Sequence, residues 1–100
     1  MVGEPVRMGV VAGHPSVADY LDGLARLSGV APVGVVHPDP AERLRLSTRL
    51  AVGGYASLPD LIDAEHPALC LIVSRPEDRL TLAGDALARG VDVALEPPLL

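Results

Sequence analysis

The sequence predicts a doubly wound, three-layer α/β domain built on a parallel sheet. Five short apolar segments alternate with four segments that carry helix-capping signals or helical spacing. Continuous apolar runs are typical of strands buried on both faces, and strands that alternate with helices are joined by crossovers into a parallel sheet. Because these crossovers are right-handed, we expect the strand order 3-2-1-4-5, with the switch point between strands 1 and 4.

The first strand is predicted over residues 6–11, where valine dominates. The next segment has an apolar stripe at helical spacing, formed by Val17, Tyr20, Leu21, Leu24 and Leu27. Ser16 and Asp19 stand at the N-cap and N3 positions of a capping box, and Gly29 is placed to end the helix. Residues 6–21 therefore predict a strand, a tight turn and the start of a helix.

The second strand is predicted over residues 31–36. The sequence Asp39-Pro40-Ala41-Glu42 opens a second helix, with the aspartate as N-cap and the proline in the first turn. This helix is expected to run to about Leu50, because Gly53-Gly54 breaks the pattern. Tyr55 then falls on a short third strand.

The second half of the chain repeats this alternation. Ser57-Leu58-Pro59-Asp60 predicts the start of a short helix, and residues 68–73 form the most apolar strand, which we place near the sheet centre. Pro76 opens the last helix, and residues 92–95 form the last strand. The apolar stripe predicted for this helix consists of Leu80, Ala83, Leu87 and Ala88.

Composition limits the classes of function. The 100 residues make one domain, 49% hydrophobic, and the formal net charge of −5 argues against nucleic acid or an anionic membrane as partner. All eight basic residues are arginine. The single cysteine, Cys70, excludes an internal disulfide and is most simply an inert core residue. With no apolar run of about 20 residues and no secretory leader, we expect a cytoplasmic protein.

Five motifs, taken in order and spacing, resemble one family. They are the opening strand and turn, His37-Pro38-Asp39-Pro40-Ala41-Glu42-Arg43, Tyr55-Ala56-Ser57-Leu58-Pro59-Asp60-Leu61, residues 83–90, and Glu96-Pro97-Pro98-Leu99. The chain resembles the N-terminal, Rossmann-like nucleotide-binding domain of the Gfo/Idh/MocA oxidoreductases, which are NAD(P)-dependent dehydrogenases mostly of sugars and polyols. The resemblance implies NAD or NADP as cofactor and residues 1–100 as the nucleotide-binding domain. The family's C-terminal substrate domain is absent from these residues.

The resemblance also implies where a dinucleotide would bind. The implied cofactor-binding residues are Ala12, Gly13, His14, Pro15, Ser16, His37, Ser74, Arg75 and Glu96. Most of them follow predicted strands, at the sheet edge where open α/β folds bind ligands. No residue is assigned a catalytic role, and no pair of histidines or cysteines has the spacing of metal ligands.

The chain departs from the family at several of these positions. The three glycines of the family's first turn fall on Ala12, His14 and Val17, and Gly13 is a neighbour. The acidic residue that holds the cofactor ribose aligns with His37, and the lysine of the family's Glu-Lys-Pro motif aligns with Pro97. Glycines at such a turn permit close approach of the pyrophosphate, and a histidine cannot accept two ribose hydroxyls as a carboxylate does.

Three functional hypotheses follow. The first is the nucleotide-binding half of an oxidoreductase, without catalysis by this domain alone. The second is a degenerate domain that acts as a partner-binding or assembly module, as a homo-oligomer or with a partner domain. The third is a binder of a different nucleotide or anion through Ser16, Arg75 and the helix N-termini.

Each polar candidate also has an ordinary structural role. Ser16 would be a plain N-cap, and Glu96 would belong to a turn. Arg75 and Arg79 either form an anion site or pair with nearby carboxylates at the surface. Arg43 and Arg45 either favour NADP by contacting its 2′-phosphate, together with His37, or lie on a solvated helix face. These alternatives stay open at the level of sequence.

Overall fold

A computed structural model describes residues 4–13, 23 and 29–95 of the chain. Their elements are β1 (Val6–Ala12), β2 (Val30–Val36), α1 (Pro40–Leu50), β3 (Gly53–Tyr55), α2 (Leu58–Glu65), β4 (Leu69–Val73), α3 (Pro76–Ala88) and β5 (Asp92–Leu95). The helix predicted between β1 and β2, with its Ser16 cap, lies outside the described residues. None of the helices described here has the length and apolar character needed to cross a membrane.

All strand pairs of the sheet are parallel, and the order is β3-β2-β1-β4-β5. The predicted α/β class and strand order are therefore confirmed. β1 pairs with β4 from Met8↔Leu69 to Ala12↔Val73. The chain proceeds outward from β1 to β2 and from β4 to β5 in opposite directions, so β1 and β4 form the switch point. Their carboxyl ends lie side by side at one edge of the sheet.

Helices cover the two faces of the sheet, and β1 contributes to both. Val10 packs with Leu46 of α1 on one face, whereas Val11 packs with residues of α2 and α3 on the other. Side chains that alternate along a strand point to opposite faces, which explains why β1 carries a continuous apolar run. The core on the α2 and α3 face consists of Val11, Val36, Leu58, Leu61, Ile62, Cys70, Ile72, Ala86 and Val91.

Two of the three predicted N-caps lie among the described residues, and both are present. The carboxylate of Asp39 accepts a 3.0 Å hydrogen bond from the backbone N–H of Glu42, and the hydroxyl of Ser57 accepts one of 3.3 Å from Asp60. Both caps satisfy backbone donors of the first helical turn that have no partner within the helix. Because the two helices begin beside the carboxyl ends of strands, these caps fix the loops that surround the sheet edge.

Two glycines in neighbouring strands make room for Leu61 of α2. Gly9 pairs with Gly34, and a Cβ on Gly9 would lie 2.7 Å from Cδ2 of Leu61. A Cβ on Gly34 would lie 3.0 Å from Cδ1 of the same leucine, which is fully buried. A larger residue at Gly9 would force the Leu61 side chain to shift, so the two glycines permit the close packing of Leu61 on the sheet.

The apolar stripe predicted for α3 is right at Ala83 and wrong at its other three positions, which are exposed. Leu80 and Leu87 are 81% and 60% exposed, whereas Ala86 is fully buried and Leu82 and Ala83 pack against the core. The helix carries two apolar stripes, and periodicity does not tell which one faces the sheet. The backbone N–H of Val91 donates a 3.0 Å hydrogen bond to the carbonyl of Ala86, which links the end of α3 to the segment that enters β5.

Candidate functional site

A cleft of about 660 Å³ opens at the carboxyl edge of the sheet, beside the switch point. Its lining includes residues that follow β1, β2 and β4, the N-terminal end of α2 and one side of α3. Clefts of roughly 300–1,000 Å³ at such an edge are the usual ligand sites of open α/β sheets. The cleft gathers four of the residues predicted from the sequence: Gly13, His37, Ser74 and Arg75.

Gly13 lies directly against the end of β4. Its backbone N–H donates a 2.8 Å hydrogen bond to the carbonyl of Val73, and a Cβ at this position would lie 3.5 Å from Cα of Ser74. The preceding residue, Ala12, is only 1% exposed and packs in the core on the α1 side. The side chain of Ala12 therefore does not line the cleft, and Gly13 marks its floor.

His37 is held by hydrogen bonds at both its backbone and its ring. Its backbone N–H donates to the carbonyl of Tyr55 at 3.1 Å, and its Nδ1 accepts from the backbone N–H of Asp39 at 3.0 Å. An imidazole nitrogen that accepts carries no proton, so the neutral ring bears its proton on Nε2. His37 lines the cleft and carries its ring donor on Nε2.

Arg43 supports the loop that contains His37. Its Nε donates to the carbonyl of His37 at 2.9 Å, and its Nη2 donates to the carbonyl of Pro38 at 3.1 Å. Its methylene groups pack so closely on Gly54 that a Cβ there would lie 2.8 Å from Cγ of Arg43. These contacts make Arg43 a residue that positions the loop after β2.

Arg45 forms an ion pair on the surface of α1 instead of lining the cleft. Its Nη2 lies 2.6 Å from Oε2 of Glu42, one helical turn away, and both side chains are exposed. The hydrogen bond between the two lowers the pKa of Glu42 and raises the pKa of Arg45. Of the two roles open to Arg45 at the level of sequence, the structure therefore supports a place on a solvated helix face.

Ser74 and Arg75 link the end of β4 to the start of α3. Ser74 is buried, and its hydroxyl donates to the carbonyl of Arg75 at 3.2 Å. Arg75 is exposed at the N-cap of α3 and lines the cleft. Within the described ranges, its guanidinium has no carboxylate at ion-pair distance. The surface pairing with Glu77 or Asp78 does not form, and Arg75 is available to an anionic ligand.

Sequence reasoning missed one wall of the cleft, which α3 provides. Asp78, Thr81 and Asp85 line it, together with Leu82. Spacings of three, four and seven residues place these side chains on one side of a helix. That spacing was visible in the sequence, but the direction in which α3 presents this side was not. The opposite wall is formed by Ala56, Ser57, Leu58 and Pro59.

Four of the predicted cofactor-binding residues fall outside the described residues. They are His14, Pro15, Ser16 and Glu96. In the part of the chain that the structure describes, histidine, cysteine and carboxylate side chains form no group of three that could hold a metal ion. Cys70 is fully buried in the sheet, and burial raises the pKa of its thiol to about 11, as expected for an unreactive core residue.

Solved structures share this fold. WlbA dehydrogenase from Chromobacterium violaceum, in complex with NADH and UDP-GlcNAcA, superposes with a TM-score of 0.89 at 18% identity, over 98% of this chain and 29% of that one. Myo-inositol 2-dehydrogenase from Lactobacillus plantarum gives 0.85 at 22% identity, over 95% and 29% of the two chains. GenD2 from gentamicin A biosynthesis, in complex with NAD, gives 0.87 at 20% identity, over 100% and 29%.

The fold is Rossmann-like. These neighbours are dehydrogenases of the Gfo/Idh/MocA type, the group that the sequence motifs resemble. At these levels of identity the likeness shows the shared fold, and the chain spans about three tenths of the length of each neighbour. No protein-family model and no curated protein matches the sequence.

Proposed function

We propose that this chain is the nucleotide-binding half of an NAD(P)-dependent oxidoreductase that acts on a sugar- or polyol-type substrate. In this proposal, residues 1–100 form the nucleotide-binding domain, and a separate domain provides most of the substrate site. The observation that carries the proposal is the cleft at the switch point, where Gly13, His37 and Arg75 meet from three strand ends. The two cofactor-bound neighbours, WlbA and GenD2, have the same fold.

The residues present fit a dinucleotide. Gly13 and Arg75 both line the cleft, so a pyrophosphate would meet the backbone at the end of β1 and the cation of Arg75. Nε2 of His37 would donate to a ribose oxygen at the end of β2, and Arg43 holds that loop in place. When bound, the cofactor would supply hydride transfer, and this domain would hold and orient it.

The remaining predicted residues complete the proposed site. His14, Pro15 and Ser16 come directly after β1 in the sequence and Glu96 comes directly after β5, and we retain all four, which lie outside the described residues, as cofactor-binding residues. We assign Ala12 to backbone contact only, because its side chain is in the core. We expect no turnover by the 100-residue chain alone, because in this proposal a separate domain provides most of the substrate site.

A calorimetric titration of the chain with NAD, NADH, NADP and NADPH tests the proposal. We expect at least one of them to bind, and Arg75→Ala to weaken that binding about tenfold, since a charge-assisted hydrogen bond contributes roughly 1.5–3 kcal/mol. Arg45→Ala is the matched control, because it removes an exposed helix arginine outside the cleft. Failure of all four dinucleotides to bind at millimolar concentration overturns the proposal.

A second candidate is a domain of the same fold that has lost the cofactor and serves as a partner-binding or assembly module. The departures His14, Val17 and Pro97 favour it, because two of them put side chains where the family has glycine and the third removes its lysine. A chain that unfolds cooperatively but binds none of the four dinucleotides supports this candidate. Dinucleotide binding that depends on Arg75 counts against it.

A further inference from the structure

The cleft has two walls of different chemistry. On the α2 side, Ala56, Leu58 and Pro59 are apolar, and the hydroxyl of Ser57 is already used as the helix cap. On the α3 side, the two carboxylates of Asp78 and Asp85 flank the hydroxyl of Thr81. The α3 wall is therefore rich in hydrogen-bond acceptors and suits a ligand edge that donates.

Charge determines how a dinucleotide would lie in this cleft. Phosphates are repelled by the α3 carboxylates and attracted by Arg75, which lines the cleft next in sequence to Ser74, the residue that Gly13 lies against. The phosphates therefore belong near the strand ends, and the space between α2 and α3 is left for the base. A base has flat apolar faces that match Val36, Leu58 and Leu82 on the lining of this space.

Asp78 is the carboxylate nearest in sequence to the strand edge. It lies in the first turn of α3, where its backbone N–H donates to the carbonyl of Arg75 at 3.0 Å. Among the residues that the structure describes, its carboxylate has no hydrogen-bond or ion-pair partner. Its neighbour Glu77 belongs to the same turn but does not line the cleft.

We propose that the carboxylate of Asp78 accepts a hydrogen bond from the exocyclic amino group of the cofactor's adenine and so selects adenine over hypoxanthine. The proposal rests on the proposed function, since it assigns the base subsite of the same cleft. Adenine presents a 6-amino donor, whereas hypoxanthine presents a carbonyl oxygen at that position. A carboxylate stabilises the donor and repels the oxygen, which is the kind of contact that discriminates strongly between analogues.

The test compares two probes, NAD and nicotinamide hypoxanthine dinucleotide, by calorimetry on the full chain. We expect NAD to bind about tenfold more tightly. Asp78→Asn should bring the two affinities to within about twofold, because an amide donates to a carbonyl oxygen as readily as it accepts from an amino group. Glu77→Gln, which removes the neighbouring first-turn charge, should leave the ratio unchanged.

The outcomes separate this inference from the proposed function. Equal affinity of the wild-type chain for the two probes, or an unchanged ratio in Asp78→Asn, overturns the role of Asp78 and leaves the dinucleotide site standing. Binding of neither probe overturns both. Circular dichroism of Asp78→Asn and Glu77→Gln checks that each variant is folded, and since both lose one first-turn acid, a general effect on α3 would appear in both.

Discussion

The backbone N–H of Asp39 donates a 3.0 Å hydrogen bond to Nδ1 of His37. Asp39 is also the N-cap of α1, so a single residue ends the loop after β2, starts the helix and sets the tautomer of the histidine. The ring is left with an Nε2–H donor at the position where NAD-binding folds commonly place a carboxylate. This contact has a direct consequence for the choice between NAD and NADP.

We expect the wild-type chain to accept NADP at least as well as NAD. A carboxylate at this position accepts the ribose hydroxyls and repels a 2′-phosphate, whereas a neutral donor does neither. His37→Asp should shift the NAD to NADP affinity ratio toward NAD by tenfold or more, on the order of 1.4 kcal/mol. Titration of both dinucleotides measures the ratio, and His66→Asp, outside the cleft lining, is the matched control.

An unchanged ratio in His37→Asp would show that this side chain does not face the cofactor ribose. His66 suits the control because it lies at the C-cap of α2 with φ of 49°. Aspartate tolerates this left-handed conformation better than most residues, so the control variant should remain folded.

The contact between Gly9 and Leu61 should dominate the stability of the α2 face. Gly9→Ala places a Cβ 2.7 Å from Cδ2 of the fully buried Leu61, and such overpacking lowers the free energy of unfolding by about 1–3 kcal/mol. Leu61→Ala leaves a cavity and lowers it by about 2–5 kcal/mol. Urea denaturation measures both variants.

The double variant tests whether the two losses share one cause. Because Leu61→Ala removes the atom that the new Cβ meets, the combined loss should be smaller than the sum of the single losses. Gly84→Ala is the control: a Cβ there meets nothing within 4 Å, and alanine favours the helix by about 1 kcal/mol over glycine. Strict additivity of Gly9→Ala and Leu61→Ala would contradict the packing described for α2.

The hydroxyl of Tyr55 donates a hydrogen bond to Oε2 of Glu65, which joins β3 to the end of α2. This hydrogen bond raises the pKa of Tyr55 above its usual 10.0, with smaller contributions from burial and from the Glu65 charge. A raised pKa means that the interaction stabilises the folded state at lower pH and that this stability is lost as the pH rises through the folded-state value.

We therefore expect the free energy of unfolding to fall above pH 10 and to fall less in Glu65→Gln. Tyrosinate absorbance of a Tyr20→Phe background, in which Tyr55 is the remaining tyrosine, should show a midpoint above 10 that returns toward 10 in Glu65→Gln. Asp63→Asn removes an exposed carboxylate from the same helix and serves as control. A midpoint that does not respond to Glu65→Gln would contradict the hydrogen bond.

The orientation of α3 predicts a contrast between two exposed leucines and one buried alanine. Leu80→Ser and Leu87→Ser should change the free energy of unfolding by about 0.5 kcal/mol or less each, because both leucines are largely exposed. Ala86→Leu should lower it by about 1–3 kcal/mol, because Ala86 is fully buried against the sheet. Thermal denaturation of the three variants measures the contrast. Larger losses in the two leucine variants than in Ala86→Leu would contradict the observed orientation of α3 and support the stripe expected from the sequence.

Part of the site followed from the sequence. Gly13, His37, Ser74 and Arg75 could be placed near one another because each follows a strand, and the carboxyl ends of parallel strands share one edge. The sequence did not show that the side chain of Ala12 lies outside the cleft. It packs in the core on the α1 side, and which face of the sheet it occupies depends on how β1 is oriented in the folded sheet. Asp78 and Asp85 were missed because they lie on α3, whose rotation about its axis depends on long-range packing.

The sequence by itself determined the features that depend on local contacts, such as helix caps, and those that depend on the handedness of the crossovers, such as strand order. Asp39 and Ser57 cap helices through contacts three residues away, and right-handed crossovers left one economical strand order. Tertiary structure alone decided which of the two apolar stripes of α3 meets the sheet and which polar stripe forms the wall of the cleft. The physical reason is that a helix of 13 residues carries a pattern on every side, and only docking against the sheet selects among them.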